Sequence, residues 1–252
     1  MSSFGISRCI RRLEGPRGRF LFLALDHGLP AGPIPGLESP AALMKRLQGA
    51  PITGIILTPG IAAGLGPDGF PRILHLSAGT VLGTRPSAKV LGSLPERALA
   101  LGADAVSVQI HFGDPEEDRM LADAGAAVDA SAALGLPVLA MVYPPHRDGS
   151  AAGEDLPHAA RAAAELGARI VQVPLPPRPE VLQDLVRGCP VPVVLGGGPR
   201  SASPEAWLDA IRAGVRAGAA GVSAGRYLFQ DPDPDRMARS IGEALFGAPS
   251  GA

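Results

Sequence analysis

Ala100-Leu101-Gly102-Ala103-Asp104-Ala105-Val106 passes from an apolar-periodic stretch, through one glycine, into a Val-rich run. Glu165-Leu166-Gly167-Ala168-Arg169-Ile170-Val171 repeats the pattern, and Ala217-Gly218-Ala219-Ala220-Gly221-Val222 is a looser version. A glycine at that place takes positive φ without a Cβ penalty, so it ends a helix and turns the chain into a strand. Working outward from these junctions, eight short apolar runs stand at 20–25, 52–57, 73–76, 105–110, 137–142, 170–173, 191–195 and 221–224. They are continuously apolar rather than alternating, as burial on both faces of a parallel sheet requires. Residues 115–134, 155–166 and 204–216 between them carry helical patterning, each opened by an acid or a proline. Strands and helices alternating in this way predict one α/β domain over 1–252, a (β/α)8 TIM barrel with a short N-terminal helix. A doubly wound dinucleotide-binding sheet would place G-x-G-x-x-G after the first strand, where Asp26-His27-Gly28-Leu29-Pro30 stands instead.

Composition excludes several classes of function. The 252 residues include 24 acidic and 23 basic side chains, a net charge of −1, which offers no basic field to nucleic acid or to an anionic membrane. No apolar run reaches the roughly 18 to 20 residues of a membrane span, and the N-terminus lacks the apolar core of a signal peptide, so a cytoplasmic location is expected. Cys9 and Cys189 sit in no metal-type spacing. Arg8-Cys9-Ile10-Arg11-Arg12, with Phe4, Ile6 and Leu13, reads as an amphipathic helix that caps the barrel bottom or makes a subunit contact.

A barrel builds its active site from the carboxyl ends of its strands. The first run ends in Asp26-His27, the third carries His75 and Ser77, the fourth Gln109 and His111, the fifth Tyr143 with His146 beyond it, and the sixth Gln172. A carboxylate placed directly after buried apolar residues costs free energy unless it is paired or functional, which singles out Asp26. Gly196-Gly197-Gly198-Pro199-Arg200 and Ser223-Ala224-Gly225-Arg226 follow the last two runs. Bare backbone N–H groups there suit a phosphate, with Gly197, Gly198, Gly225 and Arg226 as its expected contacts. No G-x-S-x-G nucleophile elbow occurs.

Read in order, Leu25-Asp26-His27-Gly28, Gly32-Pro33-Ile34, His75-Leu76-Ser77, Leu139-Ala140-Met141-Val142-Tyr143-Pro144, Gly197-Gly198-Pro199 and Gly225-Arg226-Tyr227-Leu228-Phe229-Gln230 resemble the class I aldolases related to archaeal fructose-bisphosphate aldolase and 2-amino-3,7-dideoxy-D-threo-hept-6-ulosonate synthase. The resemblance implies a homo-oligomeric barrel that binds a small phosphorylated carbonyl compound and makes or breaks a carbon–carbon bond beside its carbonyl. It implies that Asp26 and Tyr143 manage protons and that the two glycine loops hold phosphate. It also implies a Schiff-base lysine on the sixth strand, where Gln172 stands, and a second lysine at the end of the second, where Pro59 stands.

The chain has two lysines, Lys45 and Lys89, against 21 arginines. Lys45 falls within a helix and Lys89 in the long connection after the third strand, so neither is expected to replace the missing amine. A glutamine amide forms no imine. The expectation is therefore lysine-free enolate or aldol-type chemistry serving specialised biosynthesis, by an aldolase-like lyase, transferase, isomerase or cyclase. In it Asp26 and Tyr143 act with His27 or His111, while Gln172, His75, Ser77 and His146 bind substrate. Lys89→Met is expected to leave activity intact. No cofactor is required in this reading. Two alternatives stay open: a divalent metal held by Asp26, His75 and His111, and a phosphate-ligand-binding barrel without activity.

Overall fold

A computed structural model describes residues 3–66, 69–145, 153–176, 178–198, 200 and 203–247. Eight parallel strands close into a barrel in the order β1, β10, β9, β8, β7, β6, β3, β2. They are β1 (Phe20–Ala24), β2 (Gly54–Leu57), β3 (Arg72–His75), β6 (Ala105–His111), β7 (Val138–Tyr143), β8 (Ile170–Pro174), β9 (Val193–Gly196) and β10 (Gly221–Ala224). Each overlaps one of the eight apolar runs. Strands β4 (Ser77–Ala78) and β5 (Val90–Leu91) form a separate antiparallel hairpin in the connection after β3, which the apolar pattern did not reveal. Two residues per strand are too few to carry a period.

The helices are α1 (Ser3–Leu13), α2 (Gly28–Ala31), α3 (Pro40–Arg46), α4 (Pro59–Gly64), α5 (Pro95–Ala100), α6 (Glu117–Leu134), α7 (Leu156–Glu165), α8 (Pro179–Gly188), α9 (Pro204–Arg216), α10 (Arg226–Phe229) and α11 (Pro234–Phe246). At the junctions quoted first, Gly102, Gly167 and Gly218 have φ of 72°, 113° and 102°, so a side chain there would strain the turn into the next strand. Gly221 answers a different need, since a Cβ on it would lie 2.2 Å from the Phe20 carbonyl oxygen, where β10 meets β1.

Alternation along each strand sorts the core into two layers. Phe20, Phe22 and Ala24 join Ile56, Ile73, Ala105, Leu139, Met141, Ile170 and Val194 inside the barrel, and Leu13 of α1 packs against them. The amphipathic N-terminal helix thus plugs the barrel on its amino-terminal side. Leu21, Leu23 and Leu25 belong to the outer layer between strands and helices. Continued by two residues, the inward series changes character at its carboxyl end: Phe22 and Ala24 lead to Asp26, Ala105 and Ser107 to Gln109 and His111, Met141 to Tyr143, and Ile170 to Gln172. The barrel is apolar at one end and polar at the other. Among the described residues no helix is long and apolar enough to cross a membrane.

Candidate active site

A cavity of about 410 Å³ opens where these inward series end. Asp26, His27, Gln109, Tyr143, Gln172, Ser223 and Arg226 line it, together with Gly196, Gly197, Gly198 and Gly225. The two glycine loops expected to meet phosphate thus face the same space as the proton-handling candidates. Their bareness has a local cause: a Cβ on Gly225 would lie 2.6 Å from His27 Cε1, and one on Gly197 3.3 Å from the Trp207 ring. Trp207 stacks on Tyr227, centroids 4.2 Å apart, giving the loop after β9 a rigid floor.

The cavity wall is short of hydrogen-bond partners. His27 Nδ1, Gln172 Oε1, Ser223 Oγ and Arg226 Nε are buried and unpartnered, four of the seven such side-chain atoms among the described residues. Each buried orphan costs about 1–3 kcal/mol, and native folds retain such groups where a ligand or water will complete them. Ser223 is not among the strand-end residues that the sequence singles out. Its signal was its place two residues before Gly225 on the inward side of the last strand.

Tyr143 is held in its protonated form by its environment. Burial, followed by the nearby Asp26 charge, pushes its pKa up to about 12, against the opposing pull of Arg226 and of a hydrogen bond from Gln172. The phenol therefore stays protonated throughout the neutral range. His27 Nδ1 lies 3.5 Å from Asp26 Oδ1. Burial lowers its pKa despite that carboxylate, so the ring is neutral at pH 7.

Other expected site residues fall elsewhere. His111 lies off the cavity lining, stacked on Tyr143, and accepts a 2.7 Å hydrogen bond from Gln109 Nε2. His75 is buried with Nδ1 2.9 Å from Ser107 Oγ. His75 and Ser77 line a neighbouring cavity of about 650 Å³ with Thr58, Pro59 and Arg97, and Ser77 Oγ accepts from the Gln109 backbone N–H. Arg200 turns from the glycine loop after β9 to the Gln230 carbonyl at 2.7 Å and the buried Asp231 at 3.3 Å. His146 lies outside the described residues. Asp26, His75 and His111 do not converge as a metal site: among the described residues no three His, Cys, Asp or Glu side chains could hold an ion together.

The DeoC/LacD aldolase family matches residues 20–231. The chain is 35% identical over 232 residues to the 2-amino-4,5-dihydroxy-6-oxo-7-(phosphonooxy)heptanoate synthase of Streptomyces griseus, covering 90% of this chain and 85% of the relative. It is 37% identical over 230 residues to the 2-amino-3,7-dideoxy-D-threo-hept-6-ulosonate synthase of Halobacterium salinarum, covering 88% and 85%. An archaeal fructose-1,6-bisphosphate aldolase, solved with its catalytic Lys covalently bound to the carbinolamine intermediate, superposes with a TM-score of 0.89 at 28% identity, over 96% of this chain and all of that one.

That last likeness overturns the lysine-free expectation. The aldolases that share this fold at such coverage work through a Schiff-base lysine, so the mechanism to seek is one with an imine. The metal-dependent alternative falls because no three His, Cys, Asp or Glu ligands converge among the described residues, and the likeness to aldolases and synthases supports activity over the inactive binder. Gln172 does occupy the inward position on β8, between Met141 and Val194. Of the two lysines, Lys45 is exposed on α3, whereas Lys89 is buried beside the β4–β5 hairpin, 7% exposed. Lys89 Nζ donates to the Pro86 carbonyl at 2.6 Å, and burial lowers its pKa against the pull of Asp114.

Proposed function

Since the chain belongs to the DeoC/LacD aldolase family, we propose that it makes or breaks the carbon–carbon bond beside the carbonyl of a small phosphorylated ketone, with that carbonyl carried as an imine of Lys89. The observation that carries this reading is the set of unpartnered buried polar atoms gathered on one cavity wall beside two bare glycine loops. A polar, anionic ligand of a few carbons satisfies them.

The Streptomyces griseus relative is named for a product with a phosphonooxy group on C7, a ketone on C6 and hydroxyls on C4 and C5. In such a skeleton C4–C5 is the aldol bond, because C5 adjoins the ketone and C4 carries the β-hydroxyl. For this chain the corresponding step joins the α-carbon of a three-carbon ketone phosphate to an aldehyde. The α-carbon loses a proton, the new bond forms, and the aldehyde oxygen gains a proton. Nothing is oxidised or reduced.

Each role follows from placement. Gly197, Gly198, Gly225 and Arg226 hold the phosphate. Asp26 takes and returns the proton at the α-carbon, with His27 beside it. Tyr143 donates to the oxygen that gains charge. Lys89 supplies the amine: its lowered pKa raises the share of free base at neutral pH, which carbonyl attack requires. Gln109 lines both the cleft around Lys89 and the 410 Å³ cavity, and is the residue the two share.

The test is incubation with dihydroxyacetone phosphate in D₂O, followed by borohydride reduction and peptide mass mapping. Deuterium at the α-carbon and a reduced adduct on the Lys89 peptide are expected. Absence of both the exchange and the adduct would sink the proposal.

A further inference from the structure

We infer that Gln172 sets donor specificity: its Oε1 accepts a hydrogen bond from a hydroxyl on the carbon next to the substrate carbonyl, so an α-hydroxy ketone phosphate binds in preference to its deoxy analogue. This rests on the reading above that a ketone phosphate fills the cavity.

The geometry is specific to this side chain. Gln172 lines the cavity and is 7% exposed, yet Oε1 has no partner. Of the two amide atoms it is Oε1, and not Nε2, that is buried without a partner. Oε1 is therefore the amide atom left for a ligand in the cavity to complete. The neighbours that flank Gln172 across the ladder, Met141 and Val194, are apolar and donate nothing. Space above the amide comes from Gly196, whose missing Cβ would stand 3.4 Å from Gln172 Nε2. Ser223, paired with Gly196 on the far side, presents the next unpartnered atom of the wall.

A carbonyl oxygen accepts and does not donate. The phosphate and the ketone of the ligand are likewise acceptors, so neither completes Gln172 Oε1. The groups of a small ketone phosphate that donate are its hydroxyls, and with phosphate at Arg226 and the carbonyl between, the hydroxyl on the far α-carbon is the one left to meet Gln172. A site built to pair a ligand hydroxyl penalises the analogue lacking it, since its own buried group is then left unpaired.

The experiment measures dissociation constants by calorimetry for dihydroxyacetone phosphate and hydroxyacetone phosphate, with the wild type, Gln172→Met and Gln172→Glu. The wild type is expected to favour the hydroxylated ligand by about tenfold or more. Gln172→Met, close in volume but without an acceptor oxygen, brings the ratio near one. Gln172→Glu keeps an acceptor and keeps the preference, its added charge weakening both phosphates alike and cancelling in the ratio. A ratio unchanged in Gln172→Met, or absent in the wild type, overturns the inference. Failure of both ligands to bind overturns it together with the proposed function. A retained ratio without deuterium exchange sinks the aldol chemistry alone.

Discussion

The His111 imidazole lies against the Tyr143 phenol, ring centroids 4.9 Å apart and planes 15° from parallel. The two residues are partners across the β6–β7 register. Gln109 Nε2 donates to His111 Nε2, which makes that nitrogen the acceptor and puts the ring proton on Nδ1. Burial, aided by the Lys89 charge, lowers the His111 pKa to about 4, so the ring that braces Tyr143 is neutral. Under the proposed chemistry the stack makes His111 a positioning residue and leaves proton donation to Tyr143. Tyr143→Phe is expected to lower kcat by about two orders of magnitude, the usual worth of a placed acid or base. His111→Phe preserves the stack and keeps kcat within about tenfold of wild type. Equal losses in steady-state assays of the two variants would refute this division of roles.

Lys89 gives a second prediction, the reverse of what its place in a long connection suggested. Lys89→Met should abolish the borohydride adduct and lower turnover by several orders of magnitude, because no other buried lysine stands among the described residues. Lys45→Met, on an exposed helix face, should leave both unchanged. An adduct that persists in Lys89→Met places the imine elsewhere.

Gly225 ties the glycine loop after β10 to His27. Gly225→Ala puts a methyl group 2.6 Å from His27 Cε1. The ring must shift into the cavity while the barrel keeps its strands. Affinity for inorganic phosphate and for ketone phosphates should fall about tenfold or more, as a sub-ångström misplacement at a built site permits, with the far-ultraviolet circular dichroism unaltered. Unchanged phosphate affinity would show that the loop binds no anion.

Stability should depend on pH with a definite sign. Burial lowers the pKa of His27, His75 and His111. The unfolded chain, with histidines near 6.5, therefore binds more protons than the fold does once pH drops below that value. The neutral rings' contribution is complete above about pH 6.5 and is lost as pH falls, down to about 4 for His111. Melting temperature measured from pH 8 to pH 4 should decline on the acid side, and His111→Phe should flatten part of that slope. A flat profile in the wild type would mean that the histidines open to water before they titrate.

The sequence by itself determined the scaffold and the inventory of its polar end. Apolar runs broken by glycines at helix ends specify alternating strands and helices because burial on both faces and a left-handed turn leave local chemical marks, at Gly102 and Gly167 as at the strands they precede. The two-residue period then says that Asp26, Gln109, Tyr143 and Gln172 continue inward-facing series. What it leaves open is which of these side chains share one space, since that depends on partners from strands far away along the chain. His75 turns to Ser107 and its neighbouring cavity, His111 stacks behind Tyr143, and Arg200 is drawn off by Asp231. Lys89 becomes the buried amine because the β4–β5 hairpin covers it, and two short strands give no periodic signal. Only the closed barrel decides those neighbours, because hydrogen bonds and ring contacts across it settle orientations that inward parity leaves undetermined.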